Sequence, residues 1–186
     1  MNQKIRVKVY MDGANMLYAQ KKMGWNLDWQ KIKQYLENRW DVLEIRYYTG
    51  VKEGDEKMQK FLRYLHYIGF APITKPLKII KIDERHPLYK VYQYPEIHKS
   101  NFDVEIAADV LLDHGDAKQI IFFSGDSDFV YLIKKLRSIG RGSVIFSSKK
   151  MLAWELKFVA SEIIVFENIK DYIVKVAPDK NAEQKL

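Results

Sequence analysis

Gln119-Ile120-Ile121-Phe122-Phe123-Ser124-Gly125-Asp126-Ser127-Asp128-Phe129 decides the fold. Its first five residues form a short apolar run with the look of a strand buried on both faces. Ser124 to Asp128 is the turn that follows. Phe129, Leu132, Ile133 and Leu136 then recur at helical spacing, and Gly140 ends that helix. Ser143 to Phe146 reads as another strand, Lys150 to Val159 as a helix, and Glu162 to Phe166 as a last strand.

The same alternation of strand and helix runs back towards the start. Ile5, Val7 and Val9 alternate with Arg6, Lys8 and Tyr10, which predicts a strand over residues 4–11. The turn Asp12-Gly13-Ala14-Asn15 follows. Asn26 is placed to cap a helix whose face carries Leu27, Ile32, Tyr35 and Leu36. A strand at 42–48 precedes a helix with Met58, Phe61, Leu62, Leu65 and Ile68 on one side, stopped by Gly69. Residues 70–98 break the rhythm. Phe70 to Thr74 reads as a strand, and 78–82 and 88–92 as two arms of a hairpin, so a hairpin insertion is expected around 75–95. Phe102, Ile106, Ala107, Val110 and Leu111 then share a helix face.

Strands alternating with helices imply an α/β fold, a mostly parallel sheet flanked by helices. The 186 residues suit one domain, expected over 1–176, with 177–186 as a flexible polar tail. Met1 to Arg6 runs directly into the first strand pattern, so no signal peptide is expected, and no apolar run is long enough to cross a membrane. The absence of cysteine excludes disulfides, thiolate metal sites and cysteine nucleophiles and fits a cytoplasmic protein. His66, His86, His98 and His114 are not at zinc-ligand spacing. The net charge of +7 favours polyanionic partners.

In such sheets ligands bind beyond the carboxyl ends of the strands. Asp12 follows the first strand, Asp126 and Asp128 follow the most apolar one, and Asp103 begins the helix that enters this neighbourhood. Taken singly, each is a turn former or helix cap. Together in a basic chain they repel one another, and the usual resolutions are protonation or a bound cation. Hard oxygen donors without Cys or His suit Mg²⁺ or Mn²⁺. Asn15 is either a helix cap or part of the site. Asp109 lies roughly 120° around the helix from Asp103 and reads as supporting or structural, with Ser124 shaping the turn. Glu105 reads as a solvated helix residue.

These stretches resemble a known family. Met11-Asp12-Gly13-Ala14-Asn15 is similar to the opening motif of NYN domains, the PIN-like group that includes the LabA proteins. Lys99-Ser100-Asn101-Phe102-Asp103-Val104-Glu105, continuing to Asp109, is similar to their central motif, with Phe102 where a small aliphatic residue is common. Ser124 to Phe129 matches the third. The resemblance implies a PIN-like, Rossmann-like fold and a Mg²⁺- or Mn²⁺-dependent endoribonuclease, with Asp12, Asp103, Asp126 and Asp128 as acidic metal ligands and Asn15 beside them. It also implies hydrolysis to a 5′-phosphate and a 3′-hydroxyl. Lys78, Lys81, Lys90, Lys99, Lys149 and Lys150 are candidates for RNA phosphates, and Tyr92, with Tyr89 and Tyr94, for unpaired bases. Two competitors stand beside this expectation. One is an inactive RNA-binding or protein-scaffold module on the same fold. The other is a different enzyme on a similar sheet, against which the lack of a P-loop or Gly-x-Gly-x-x-Gly turn argues. A homodimer through an exposed edge or the hairpin is compatible with the sequence.

Overall fold

The structure is a computed structural model that describes residues 3–81 and 96–176, with the backbone alone at 79–81 and 96–99. Its main sheet has six strands in the order β3-β2-β1-β6-β7-β8: β1 (Arg6–Asp12), β2 (Asp41–Val51), β3 (Ala71–Pro76), β6 (Gln119–Phe123), β7 (Gly142–Ser147) and β8 (Glu162–Val165). Every neighbouring pair is parallel. The α/β expectation holds, and the main sheet is wholly parallel.

Alternation across the strands makes two cores. Val7, Val9, Met11, Ile121 and Phe123 face one side, where they pack against α1 (Gly13–Met23), α2 (Trp29–Arg39), α3 (Glu56–Tyr67) and the short α6 (Lys170–Ile173). Tyr10, Tyr48, Ile120 and Phe122 face the other, under α4 (Asp103–Leu112) and α5 (Val130–Ser138). Burial on both faces is why β6 carries no polar alternation. Among the described residues no helix is long and apolar enough to cross a membrane.

Several local expectations are corrected. Residues 12–15 are not a free turn, because α1 starts at Gly13 with Asp12 as its cap. Asp28, not Asn26, caps α2, its Oδ1 accepting from the Gln30 and Lys31 amides at 3.1 Å. The stretch 150–159 is a bend followed by a 3-10 turn, Trp154–Phe158, rather than an α-helix. The insertion contains β4 (Lys78–Lys81) paired antiparallel with β5 (Glu96–Lys99), so the partner of the first arm lies further along than 88–92. Residues 82–95, with that proposed second arm, are outside the described residues, as is the tail 177–186.

The base of the insertion is tightly closed. A Cβ on Gly50 would lie 2.4 Å from both Leu77 Cδ2 and Ser100 Oγ, so the outgoing and returning chains meet on β2 at a position only glycine fills. Lys75 donates to Asn101 O, pairs with Glu105, and sits 4.3 Å from the Phe102 ring centre. Glu105 is therefore an ion-paired residue and not merely a solvated one. Phe102 is buried and meets Tyr48 edge-on, with ring centres 5.8 Å apart. Its size fills the space beneath the returning chain, and Asp103 follows it as the first residue of α4.

Candidate metal centre

β1 is hydrogen-bonded to β2 on one edge and β6 on the other, while the chain visits β2 and β3 before crossing to β6. The strand order reverses at this point, and in sheets of this kind the ligand crevice lies outside the carboxyl ends of the strands at such a reversal, here β1 and β6. Asp12 ends β1. Its Oδ1 accepts from the Asn15 amide at 3.0 Å and caps α1. Asn15 therefore does not cap the helix. Its Oδ1 accepts from the Gly125 amide at 3.1 Å, tying α1 to the turn after β6 across 110 residues.

That turn is built from its own side chains. Ser124 Oγ accepts from the Asp126 amide at 3.2 Å, and Asp126 Oδ1 accepts from the Asp128 amide at 3.0 Å. Asp126 thereby caps the 3-10 turn Ser127–Phe129, and Asp128 is left exposed. Asp103 approaches from α4, its amide donating to Asn101 Oδ1 at 2.8 Å.

Two glycines allow the close approach. A Cβ on Gly13 would come within 2.6 Å of Tyr48 O, and one on Gly125 within 2.3 Å of Met151 O and 2.5 Å of Ser147 Oγ. Neither constraint was evident from the sequence, because both partners are distant in the chain. Ser147 and Ser148, at the end of β7, carry buried hydroxyls without a hydrogen-bond partner among the described residues.

The four carboxylates act on one another. Burial raises Asp12 from 3.8 to about 6; the Asn15 amide opposes that, and Asp103 and Asp126 add to it. Burial also raises Asp103, opposed by Asn101 and reinforced by Asp126 and Asp128. Among the described residues, none of the four has a Lys, Arg or His within 4.0 Å. Asp109 belongs to a different group. It accepts from Tyr48 Oη at 2.7 Å and pairs with Arg46 at 3.0 Å, and Arg46 also holds Glu44 and Asp113. Six residues along a helix is a rise of about 9 Å, so Asp109 braces α4 against β2 below the crevice. Tyr48→Phe should remove one strut and cost about 1 kcal/mol in urea unfolding; an unchanged midpoint would mean that the bond contributes nothing.

The donor chemistry fits a hard divalent cation: oxygen ligands only, unneutralised and mutually repelling. Among the described residues no three acidic or histidine side chains stand close enough together to hold an ion. The carboxylates thus lie within electrostatic reach of one another without forming a closed coordination shell.

The basic candidates are dispersed. Lys149 and Lys150 are exposed on the loop after β7, at the same sheet edge; Lys150 Nζ donates to Lys22 O at 3.1 Å. Lys78 is exposed, with Lys99 opposite it in the β4–β5 ladder, and Lys81 stands opposite Glu96. Lys90, Tyr89, Tyr92 and Tyr94 lie outside the described residues.

Comparisons with known proteins agree with this architecture. The low amplitude and bright protein LabA of Synechococcus elongatus is 31% identical over 172 residues, covering 91% of this chain and 88% of that protein. An uncharacterized protein of Methanocaldococcus jannaschii is 22% identical over 176 residues, or 94% of this chain and 56% of its own length. A crystal structure of a protein of unknown function from Vibrio parahaemolyticus superimposes with a TM-score of 0.74 at 19% identity, covering 94% of this chain and 99% of that one; this likeness shows the fold alone. The NYN domain model matches residues 6–167, from the start of β1 to just beyond β8, and the chain belongs to the NYN domain family, a PIN-like nuclease family.

Proposed function

We propose that this protein is an endoribonuclease that hydrolyses RNA phosphodiester bonds at the crevice between β1 and β6, using Mg²⁺ or Mn²⁺. The observation that carries the reading is the contrast between two groups of acids. Asp109, Asp113 and Glu44 are paired with Arg46, and Glu44 with Lys8 as well, whereas Asp12, Asp103, Asp126 and Asp128 lie within electrostatic reach of one another with no basic partner within 4.0 Å among the described residues. Membership of a nuclease family supports it.

A divalent ion bound there would polarise a phosphoryl oxygen and lower the pKa of a coordinated water. Asp12, Asp103 and Asp126 are the proposed ligands, with Asp128 as a further ligand or as an acceptor for a bound water. Asn15 commits its oxygen to the Gly125 amide, so its NH₂ is the group left to orient a water or a phosphate oxygen. Asp12 must ionise to serve, and with a value of about 6 it does so just below neutral pH. Lys149 and Lys150 would neutralise flanking phosphates.

One observation favours the inactive alternative, an RNA-binding or scaffold module: no three acids reach ligand spacing among the described residues. The two readings separate in one experiment. Labelled single-stranded and hairpin RNA are incubated with the protein in Mg²⁺, Mn²⁺ or EDTA, beside Asp126→Asn. Cleavage that needs metal and falls roughly 10²–10³-fold in the variant, with RNA binding retained, is the expected result; that is the usual size for loss of one preorganised charge-stabilising group. RNA binding without cleavage in either protein would replace the nuclease reading by the binding module.

A further inference from the structure

The 3-10 turn Trp154–Phe158 presents an unusual surface. Trp154 is 64% exposed and Phe158 71%, and their rings meet edge-on with centres 5.5 Å apart. The other three tryptophans, Trp25, Trp29 and Trp40, are buried or half-buried. Leu156, between the two exposed rings, is fully buried and anchors the turn in the core under α5. The pair is therefore an ordered, rigidly mounted aromatic feature on the outside of the molecule.

Its position is tied to the acidic turn. The Ala153 amide donates to Gly125 O at 2.9 Å, so Trp154 and Asp126 each lie one residue from a hydrogen-bonded pair. With about 3.8 Å per chain step, the backbones of the two residues fall within the reach of one short strand. The stretch itself is basic: Lys149, Lys150 and Lys157 are exposed along it, against a half-buried Glu155 and against Glu167, whose carboxylate accepts from the Lys149 amide at 3.1 Å. Exposed aromatics interleaved with lysines, beside a phosphate-cleaving crevice, have the composition of a single-strand platform: π-faces for bases and cations for the backbone.

We propose that Trp154 and Phe158 stack on an unpaired base of the RNA strand adjoining the scissile phosphate, with Lys149 and Lys157 on the flanking phosphates. The assignment rests on the nuclease reading of the neighbouring crevice and deepens it, by selecting single-stranded over duplex RNA. Stacking requires an open base face, which a paired helix does not offer.

The test is binding in EDTA, where cleavage is excluded, using fluorescein-labelled 12-nucleotide oligouridine and a blunt 12-base-pair RNA duplex. The full chain is compared with Trp154→Ala/Phe158→Ala and with Lys157→Ala. Both rings are exposed, so circular dichroism and the melting temperature should stay at wild-type values. Oligouridine affinity is expected to fall about 5- to 100-fold in the double variant, with little change for the duplex. Oligouridine should quench Trp154 emission in the wild type, and Lys157→Ala should lower the salt slope by about 0.7. Wild-type affinity in the double variant, or wild-type emission that oligouridine leaves unquenched, would overturn the platform. So would a dimer, seen by sedimentation, that the double variant converts to monomer with RNA binding intact, because the patch would then pair two copies. Cleavage is read separately. A protein that binds through the rings but never cleaves removes the nuclease and keeps the platform; cleavage of single strands at unchanged rate and affinity in the double variant does the reverse.

Discussion

Asp12→Asn should abolish cleavage and, in the same molecule, raise the melting temperature of the metal-free protein. The folded value of Asp12, about 6, lies above its ordinary 3.8. The fold therefore favours the neutral acid. Its stabilising contribution is complete below about pH 4 and is lost as pH rises through 6. Above that, holding the ionised carboxylate in its buried position, beside Asp103 and Asp126, costs up to about 3 kcal/mol. Asparagine carries no charge at any pH and keeps an oxygen to accept the Asn15 amide, so the cap on α1 survives. The variant should melt roughly 3–10 °C higher at pH 7.5 in EDTA, and near the wild type at pH 4.5. Its cleavage rate should fall by at least roughly 10²–10³. Scanning calorimetry at the two pH values decides the first half; a melting point lowered at pH 7.5 would mean that Asp12 is a structural acid. Opposite signs for stability and activity are the mark of a residue kept for function at the expense of the fold.

Gly125→Ala should do the greatest structural damage of any single methyl group near the crevice. Gly125 has no positive φ, so the objection to alanine is purely spatial. The added carbon would meet Met151 O at 2.3 Å, a backbone atom that no rotamer change removes, and Ser147 Oγ at 2.5 Å. The turn must then move away from the segment after β7, straining the Ala153–Gly125 and Asn15–Gly125 bonds and displacing Asp126. A loss of about 2–4 kcal/mol is expected in urea unfolding, with activity lost even where the protein stays folded. Gly140→Ala is the control. Its φ is +73° with nothing within 4 Å of the new Cβ, so it should cost only about 1 kcal/mol and leave the crevice intact. Equal losses in the two variants would contradict the packing argument.

How much of this was legible depends on the range of the forces involved. The β6 run and the turn after it could be read because burial on both faces leaves a local trace. The parallel sheet followed from alternation. Asp28 was missed as the cap of α2 because Asn26 and Asp28 are both good caps, and the choice is made by Leu27 entering the core between them. The stretch 150–159 read as helical from its composition, yet Ala153 is bound to Gly125 and the chain bends to reach it. The second arm of the insertion is set by pairing across an intervening segment, which no local pattern records. In the candidate site, the acids stand out because carboxylates in a basic chain do. The parts that bring them together, the Asn15–Gly125 bond and the bare backbones of Gly13 and Gly125, act between positions far apart in sequence and leave no periodicity.

The central place of β1 has a consequence for how the protein is made. β1 is completed on its second edge only by β6, more than 100 residues later in the chain. Asp12 therefore emerges from the ribosome long before Asp103 and Asp126, and the Asn15–Gly125 bond can close only once the later half has folded. Long-range pairing of this kind forms late. A chain truncated before β6 carries Asp12 without Asp126 and without the Asn15–Gly125 bond, so the candidate site is completed only when the sheet closes on the second edge of β1.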